Sequence, residues 1–132
     1  MLEFFVIGTP APKGSHVGRM INGRVAIFPT SSGALKSWER AVKIVASAAA
    51  PKVPIDSPVS VELEFVIRRP KKPKFSVPAT TPDIDKLARA TLDGLSKIII
   101  SDDARIVALK VSERYQRDDE PTGCLISVEE NI

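Results

Sequence analysis

The sequence predicts an α+β fold, a mixed and mostly antiparallel sheet with two helices packed on one face. Two patterns carry that expectation. Residues 59–67 (VSVELEFVI) alternate Val59, Val61, Leu63, Phe65 and Ile67 with Ser60, Glu62 and Glu64, the period of a strand with one wet face. Residues 35–49 and 84–95 instead repeat apolar side chains three or four apart, the period of a helix with one buried face. One layer of helices over a sheet buries one face of each. The 132 residues make a single domain, 1–132, able to bury roughly two-thirds of its unfolded surface.

In chain order, residues 2–7 (LEFFVI) read as a strand, and GTPAPKGSHVG as a Gly/Pro loop; residues 24–28 (RVAIF) read as a second short strand. A helix begins after Thr30-Ser31-Ser32. Leu35, Trp38, Val42, Val45 and Ala49 form its stripe, Lys36, Glu39, Arg40 and Lys43 lie outside, and Pro51 ends it. Trp38, on the stripe, reads as a core anchor rather than a base-stacking platform. After the 59–67 strand, RRPKKPKFSVPATTP is too proline-rich and charged to pack and reads as a loop.

The second helix carries the charges around which the chain is arranged. Thr81 suits its N-cap, Pro82 its first position and Asp83 its first turn. Ile84, Leu87, Ala88, Thr91, Leu92 and Leu95 share its apolar face, and Gly94 loosens its far end. Lys97 to Ile100 is long enough to lead back toward the helix start, bringing Asp102 and Asp103 toward Asp83 and Asp85. Residues 105–115 and 123–129 are two further strands, joined by QRDDEPT as a hairpin. The other sheet face mixes Glu62, Glu64, Lys110 and Ser112 with Val66, Ile106 and Ala108, so a second subunit is expected to cover part of it. No repeat or linker divides the chain.

Composition narrows the function. A single cysteine, Cys124, excludes an internal disulfide and a cysteine-rich zinc site and fits a reducing compartment. No signal peptide or membrane-spanning run is present, which makes a membrane partner unexpected. Net charge is only +3, but its distribution is uneven. Between Glu3 and Glu39 the charged and titratable residues are Lys13, His16, Arg19, Arg24 and Lys36; between Glu64 and Asp83 they are Arg68, Arg69, Lys71, Lys72 and Lys74. Basic segments of this kind hold a polyanion, while clustered acids bind something that neutralises them, most simply a divalent cation. Hard carboxylate oxygens suit Mg²⁺, or Mn²⁺ in its place, and a cation so held activates phosphate ester hydrolysis. The plainer readings are a solvated basic loop, aspartates favourably placed at a helix N-terminus and a turn at Asp102-Asp103. A glycosidase pair would need one acid beside apolar walls.

Pro82-Asp83-Ile84-Asp85, then Leu87, Arg89 and Leu92-Asp93-Gly94-Leu95, then Asp102-Asp103-Ala104-Arg105-Ile106 together resemble the motif of RusA-like Holliday junction resolvases. So do the Pro12-to-Gly14 loop and the Lys36 and Trp38 that open the first helix, and the likeness covers nearly the whole chain. The resemblance implies a RusA-like fold and a homodimeric, Mg²⁺-dependent endonuclease that cuts branched four-way DNA by paired symmetric nicks. It places the protein in the bacterial cytoplasm, in many cases with a phage or prophage origin. It implies Asp83, Asp85 and Asp103 as metal-binding catalytic acids, with Asp102 beside them. Two positions depart from the pattern: Lys86 stands where Asn is usual, and Arg89 where the catalytic cation is lysine. Arg89 keeps the charge but not the geometry. Lys13, Arg19, Arg24, Arg68, Arg69, Lys71, Lys72, Lys74 and Lys86 are the expected DNA contacts. The alternatives are a branched-DNA-binding protein of the same fold without cleavage, and a metal-dependent hydrolase of smaller phosphate esters.

Overall fold

A computed structural model of the chain describes residues 1–14, 16–29 and 33–131, with residues 16–21 and 25–29 described by their backbone only. Strand β4 (Val59–Ile67) is the centre of the molecule. Val59, Val61, Leu63, Phe65 and Val66 are all buried, so β4 is the strand with most to gain from neighbours on both sides. On one side it pairs antiparallel with β6 (Gly123–Glu130), and β6 in turn with β1 (Leu2–Ile7). On the other it pairs parallel with β5 (Ile106–Tyr115), giving the order β1-β6-β4-β5.

That order corrects one expectation. β5 and β6 are consecutive but do not form a hairpin, because β4 lies between them. A parallel neighbour needs a crossover, and helix α2 (Ile84–Leu95) provides it between β4 and β5. The connection from β5 to β6 is closed instead by Arg114, whose guanidinium donates to both carboxylate oxygens of Glu120 at 2.6 and 2.7 Å. A second correction concerns Ile106. The β4–β5 register shifts between Val59 and Ser60, so Ile106 sits opposite buried Val59 and packs on the core, while Val107 is turned out to solvent.

A separate hairpin, β2 (His16–Ile21) and β3 (Arg24–Pro29), is only half anticipated by the sequence. Its turn is Asn22-Gly23, with φ of +50° and +77°. Two positive φ values are what a two-residue turn compatible with strand twist requires, and Asn-Gly is the sequence that tolerates them. The last three residues read as loop, 16–18, therefore open the first strand of this hairpin.

Helix α1 (Gly33–Ala49) buries Leu35, Trp38 and Val42 of the expected stripe and then Ala46, with Val45 and Ala49 only partly buried; its expected cap at Thr30-Ser31-Ser32 lies outside the described residues. It packs against α2 and β1. Gly94 does not loosen α2. It is buried inside the helix, and a Cβ there would stand 2.6 Å from Val42 Cγ1, so its absence is what lets the two helices approach. At the same contact the Trp38 indole, 1% exposed, donates to Thr91 Oγ1 at 3.1 Å, and the Thr91 hydroxyl donates to the Leu87 carbonyl at 2.9 Å. Trp38 is thus the core anchor that its position on the stripe predicts.

Candidate nucleic-acid and metal site

Helix α2 starts later than expected. Asp83, not Thr81, is the N-cap: its backbone is extended, and its carbonyl accepts from the N–H groups of Lys86 and Leu87, each at 3.1 Å. Pro82 accordingly lies before the helix instead of at its first position, which Ile84 takes. The Asp83 carboxylate takes no part in capping. Asp83 and Asp85 are exposed, and among the described residues neither side chain has a hydrogen-bond or ion-pair partner.

Arg89 lies one turn beyond Asp85, where an i,i+4 ion pair would be the ordinary use of both. No such pair forms: Arg89 is exposed and makes no hydrogen bond or ion pair among the described residues. Its charge is felt by Lys13, whose ammonium it disfavours. Beside the start of the helix, Asp83 and Lys86 join Pro10, Ala11, Pro12 and Pro82 in lining an open cleft of about 470 Å³. The N-terminal loop forms its other wall, held there by the Lys13 N–H, which donates to the Lys86 carbonyl at 3.1 Å.

Charges farther along α2 and at the turn beyond it are engaged. Lys13 Nζ lies 2.7 Å from Asp93 Oδ2, so its charge is committed to an acid of α2 rather than turned to solvent. That hydrogen bond is the main reason the Lys13 pKa is raised. Asp56 accepts from the Ser101 hydroxyl at 2.6 Å and from Arg105 Nε at 2.7 Å, and both hold its carboxyl below the usual range. These bonds brace the turn that carries Asp102 and Asp103. Asp102 Oδ1 accepts from the Ala104 N–H at 2.8 Å and so caps the 3-10 turn Asp103–Arg105, the plainer reading of that residue.

Asp103 does not reach Asp83 and Asp85. The 96–100 segment closes as a turn, with Ser96 bridged to Ile100 and Ile99 and Ile100 buried, instead of leading back along the helix. Asp103 consequently sits by the far end of α2. Partial enclosure of its carboxyl and then the neighbouring Asp93 charge push its pKa up, a hydrogen bond from Ser96 opposes them, and Asp102 adds to the rise. Asp93 is eight residues, or about 12 Å of helix axis, beyond Asp85. Among the described residues no three acids, histidines or cysteines stand close enough together to hold a metal ion, so the convergence expected of the four aspartates is not formed within the chain.

Asp93 is the residue that sequence reasoning passed over. It belongs to the Leu92-Asp93-Gly94-Leu95 stretch and lies four beyond Arg89, so helical spacing could have placed it on the same face. Of the expected DNA contacts, Arg24, Arg68, Arg69, Lys71, Lys72 and Lys74 are exposed, and Lys86 is half-buried at the cleft. The Arg19 side chain lies outside the described residues. The 68–74 cations have no acidic partner among the described residues. No described helix is long and apolar enough to cross a membrane.

A family model described as endodeoxyribonuclease RusA matches residues 6–129. The Uncharacterized protein YqaN of Bacillus subtilis (strain 168) is 30% identical over 129 residues, which cover 89% of each chain.

Proposed function

The chain belongs to the endodeoxyribonuclease RusA family, and from that premise we propose that it is a Mg²⁺-dependent endonuclease resolving four-way DNA junctions as a homodimer, by paired symmetric nicks. The observation that carries this reading is the unengaged row on α2. Asp83, Asp85 and Arg89 stand exposed and, among the described residues, uncommitted, while Asp93 farther along α2 is paired with Lys13, and Asp56 with Arg105 at the turn beyond the helix. Charges left unpaired beside a cleft are available to a ligand.

Asp83 and Asp85 would hold the cation, and Asp103, the third acid that the resemblance implies, would have to join them from the far end of α2. Their hard oxygen donors suit Mg²⁺, which commonly takes one or two carboxylates, keeps waters and completes its shell with substrate phosphate; a preformed group of three is therefore not required of the free chain. The chemistry supplied when a divalent cation is bound there is polarisation of a phosphoryl oxygen and acidification of an attacking water. Arg89, one turn from Asp85, donates to the scissile phosphate and stabilises the charge developing on it. Arg24 and the 68–74 cations take flanking phosphates, which positions DNA without reading its sequence. Two such sites about a two-fold axis match the symmetry of a branched substrate. Edge strand β5, with Val107 and Leu109 exposed, offers apolar surface to a second copy. We place the protein in the bacterial cytoplasm, with a phage or prophage origin.

One observation favours a second reading, junction binding without cleavage: Asp103 stands beside Asp93 and apart from Asp83 and Asp85. Incubating a labelled synthetic four-way junction with the full chain in Mg²⁺ or EDTA separates the two. Cleavage in Mg²⁺ alone supports the first reading. Stable junction complexes with no product in either condition support the second, and equal affinity for junction and linear duplex refutes both.

A further inference from the structure

The loop between β4 and α2 carries more than charge. Phe75 is 47% and Val77 50% exposed, two large apolar side chains at alternate positions of a segment without regular secondary structure. Pro78, buried, ties the segment down just beyond them. Around them Arg68, Arg69, Lys71, Lys72 and Lys74 are all exposed, and Lys74 Nζ lies 5.5 Å from the centroid of the Phe75 ring.

A single exposed apolar residue needs no explanation. Here, however, a phenyl ring stands among cations that have no acidic partner among the described residues. A clamp for duplex phosphates needs only the cations. A ring embedded in such a set is the combination that binds unstacked nucleic acid, with cations following the backbone and the aromatic face stacking on a base. Apolar side chains of this size also wedge between base steps and hold them apart. A four-way junction differs from its duplex arms in one respect relevant to a ring: continuous stacking is interrupted at the point of strand exchange.

We propose that Phe75 stacks on a nucleobase at the branch point, with Val77 beside it, so that this loop discriminates branched DNA from duplex. The inference rests on the junction reading above and adds to it a residue that recognises the branch. Lys74, over the ring, both orients it and reaches the adjacent phosphate. Phosphate contacts to one arm cannot give this selectivity, since a junction arm and linear duplex present the same backbone.

The test compares Phe75→Ala and Phe75→Trp with wild type in EDTA, measuring affinity for a four-way junction and for linear duplex, with 2-aminopurine at the exchange point as a stacking probe. Loss of a stacked ring should weaken junction binding roughly 5- to 150-fold, leave duplex binding unchanged and abolish the 2-aminopurine response. Phe75→Trp should keep both the junction affinity and the 2-aminopurine response. The inference is overturned if Phe75→Ala loses junction and duplex affinity equally, or neither. It is also overturned if the variant's main effect is on dimer dissociation, which would assign the ring to the subunit interface. A wild type that prefers junctions and cuts them, with an indifferent Phe75→Ala, sinks this inference alone; a wild type with no junction preference sinks it together with the proposed function.

Discussion

Replacing Thr91 by valine removes two hydrogen bonds at the contact that orients α2, the one it donates to the Leu87 carbonyl and the one it accepts from Trp38, and the second sets most of the cost. Thr91 is fully buried, and its hydroxyl is the acceptor for the Trp38 indole N–H at 3.1 Å. Valine keeps the shape and the β-branch, so packing against α1 is nearly conserved. What changes is that the indole N–H, on a side chain 1% exposed, is left without an acceptor. A buried donor so orphaned costs about 1–3 kcal/mol. At about 3–4 °C per kcal/mol for a domain of this size, Tm should fall by roughly 3–12 °C. The assay is urea unfolding of Thr91→Val, Trp38→Phe and the double variant. Phenylalanine has no N–H to orphan, so in the Trp38→Phe background Thr91→Val should cost less than about 0.5 kcal/mol, giving a coupling energy near 1 kcal/mol or more. Equal costs of Thr91→Val in both backgrounds would refute the reasoning, as would no cost in either.

The metal-site assignment predicts that Asp83→Asn, Asp85→Asn and Asp103→Asn each abolish Mg²⁺-dependent cleavage while junction binding is kept or tightened; wild-type cleavage by any one of them in a gel assay removes that residue from the site. Asp102→Asn should be milder in cleavage and should keep the cap, since the Asn amide oxygen can still accept from the Ala104 N–H; Asp102→Ala should lose it, at about 0.5–2 kcal/mol in unfolding. Arg89→Ala should slow single-turnover cleavage by ~10²-fold or more with Tm unchanged, because no ion pair is there to lose, and Arg89→Lys should retain part of the rate; a lower Tm with a normal rate would make Arg89 structural. Neutralising Lys71, Lys72 and Lys74 should flatten the dependence of log K on log[salt] by ~0.9 for each phosphate that no longer meets a cation, and an unchanged slope would mean a merely solvated loop.

What was legible in the sequence and what was not divide along physical lines. The strand at 59–67 and the stripe through Leu35, Trp38 and Val42 could be read because burial imposes a period on a single segment. Pairing leaves a fainter trace. β5 and β6 look like a hairpin because a turn-rich linker joins them, and only the competition of both for β4 separates them. The β2–β3 hairpin had a local signal in Asn22-Gly23, hidden by glycines and a weak apolar pattern on the strand before it. At the site, candidate acids could be named from the sequence but their arrangement could not. Whether Asp103 returns to Asp85 depends on how the 96–100 segment turns, and that is decided by Ile99 and Ile100 entering the core and by the backbone bonds to Ile55. The pairing of Lys13 with Asp93, 80 residues apart, has no local signal in the chain.

The central claim is that two copies of this chain cut a branched DNA on opposing strands. A supercoiled plasmid carrying an extruded cruciform tests it most directly, because paired nicks within one complex convert supercoil straight to linear, while independent nicks give open circle first. The account predicts linear product in Mg²⁺, none in EDTA, and none from a matched plasmid lacking the cruciform. Untouched supercoil, or nicking that proceeds equally well without the cruciform, would contradict it.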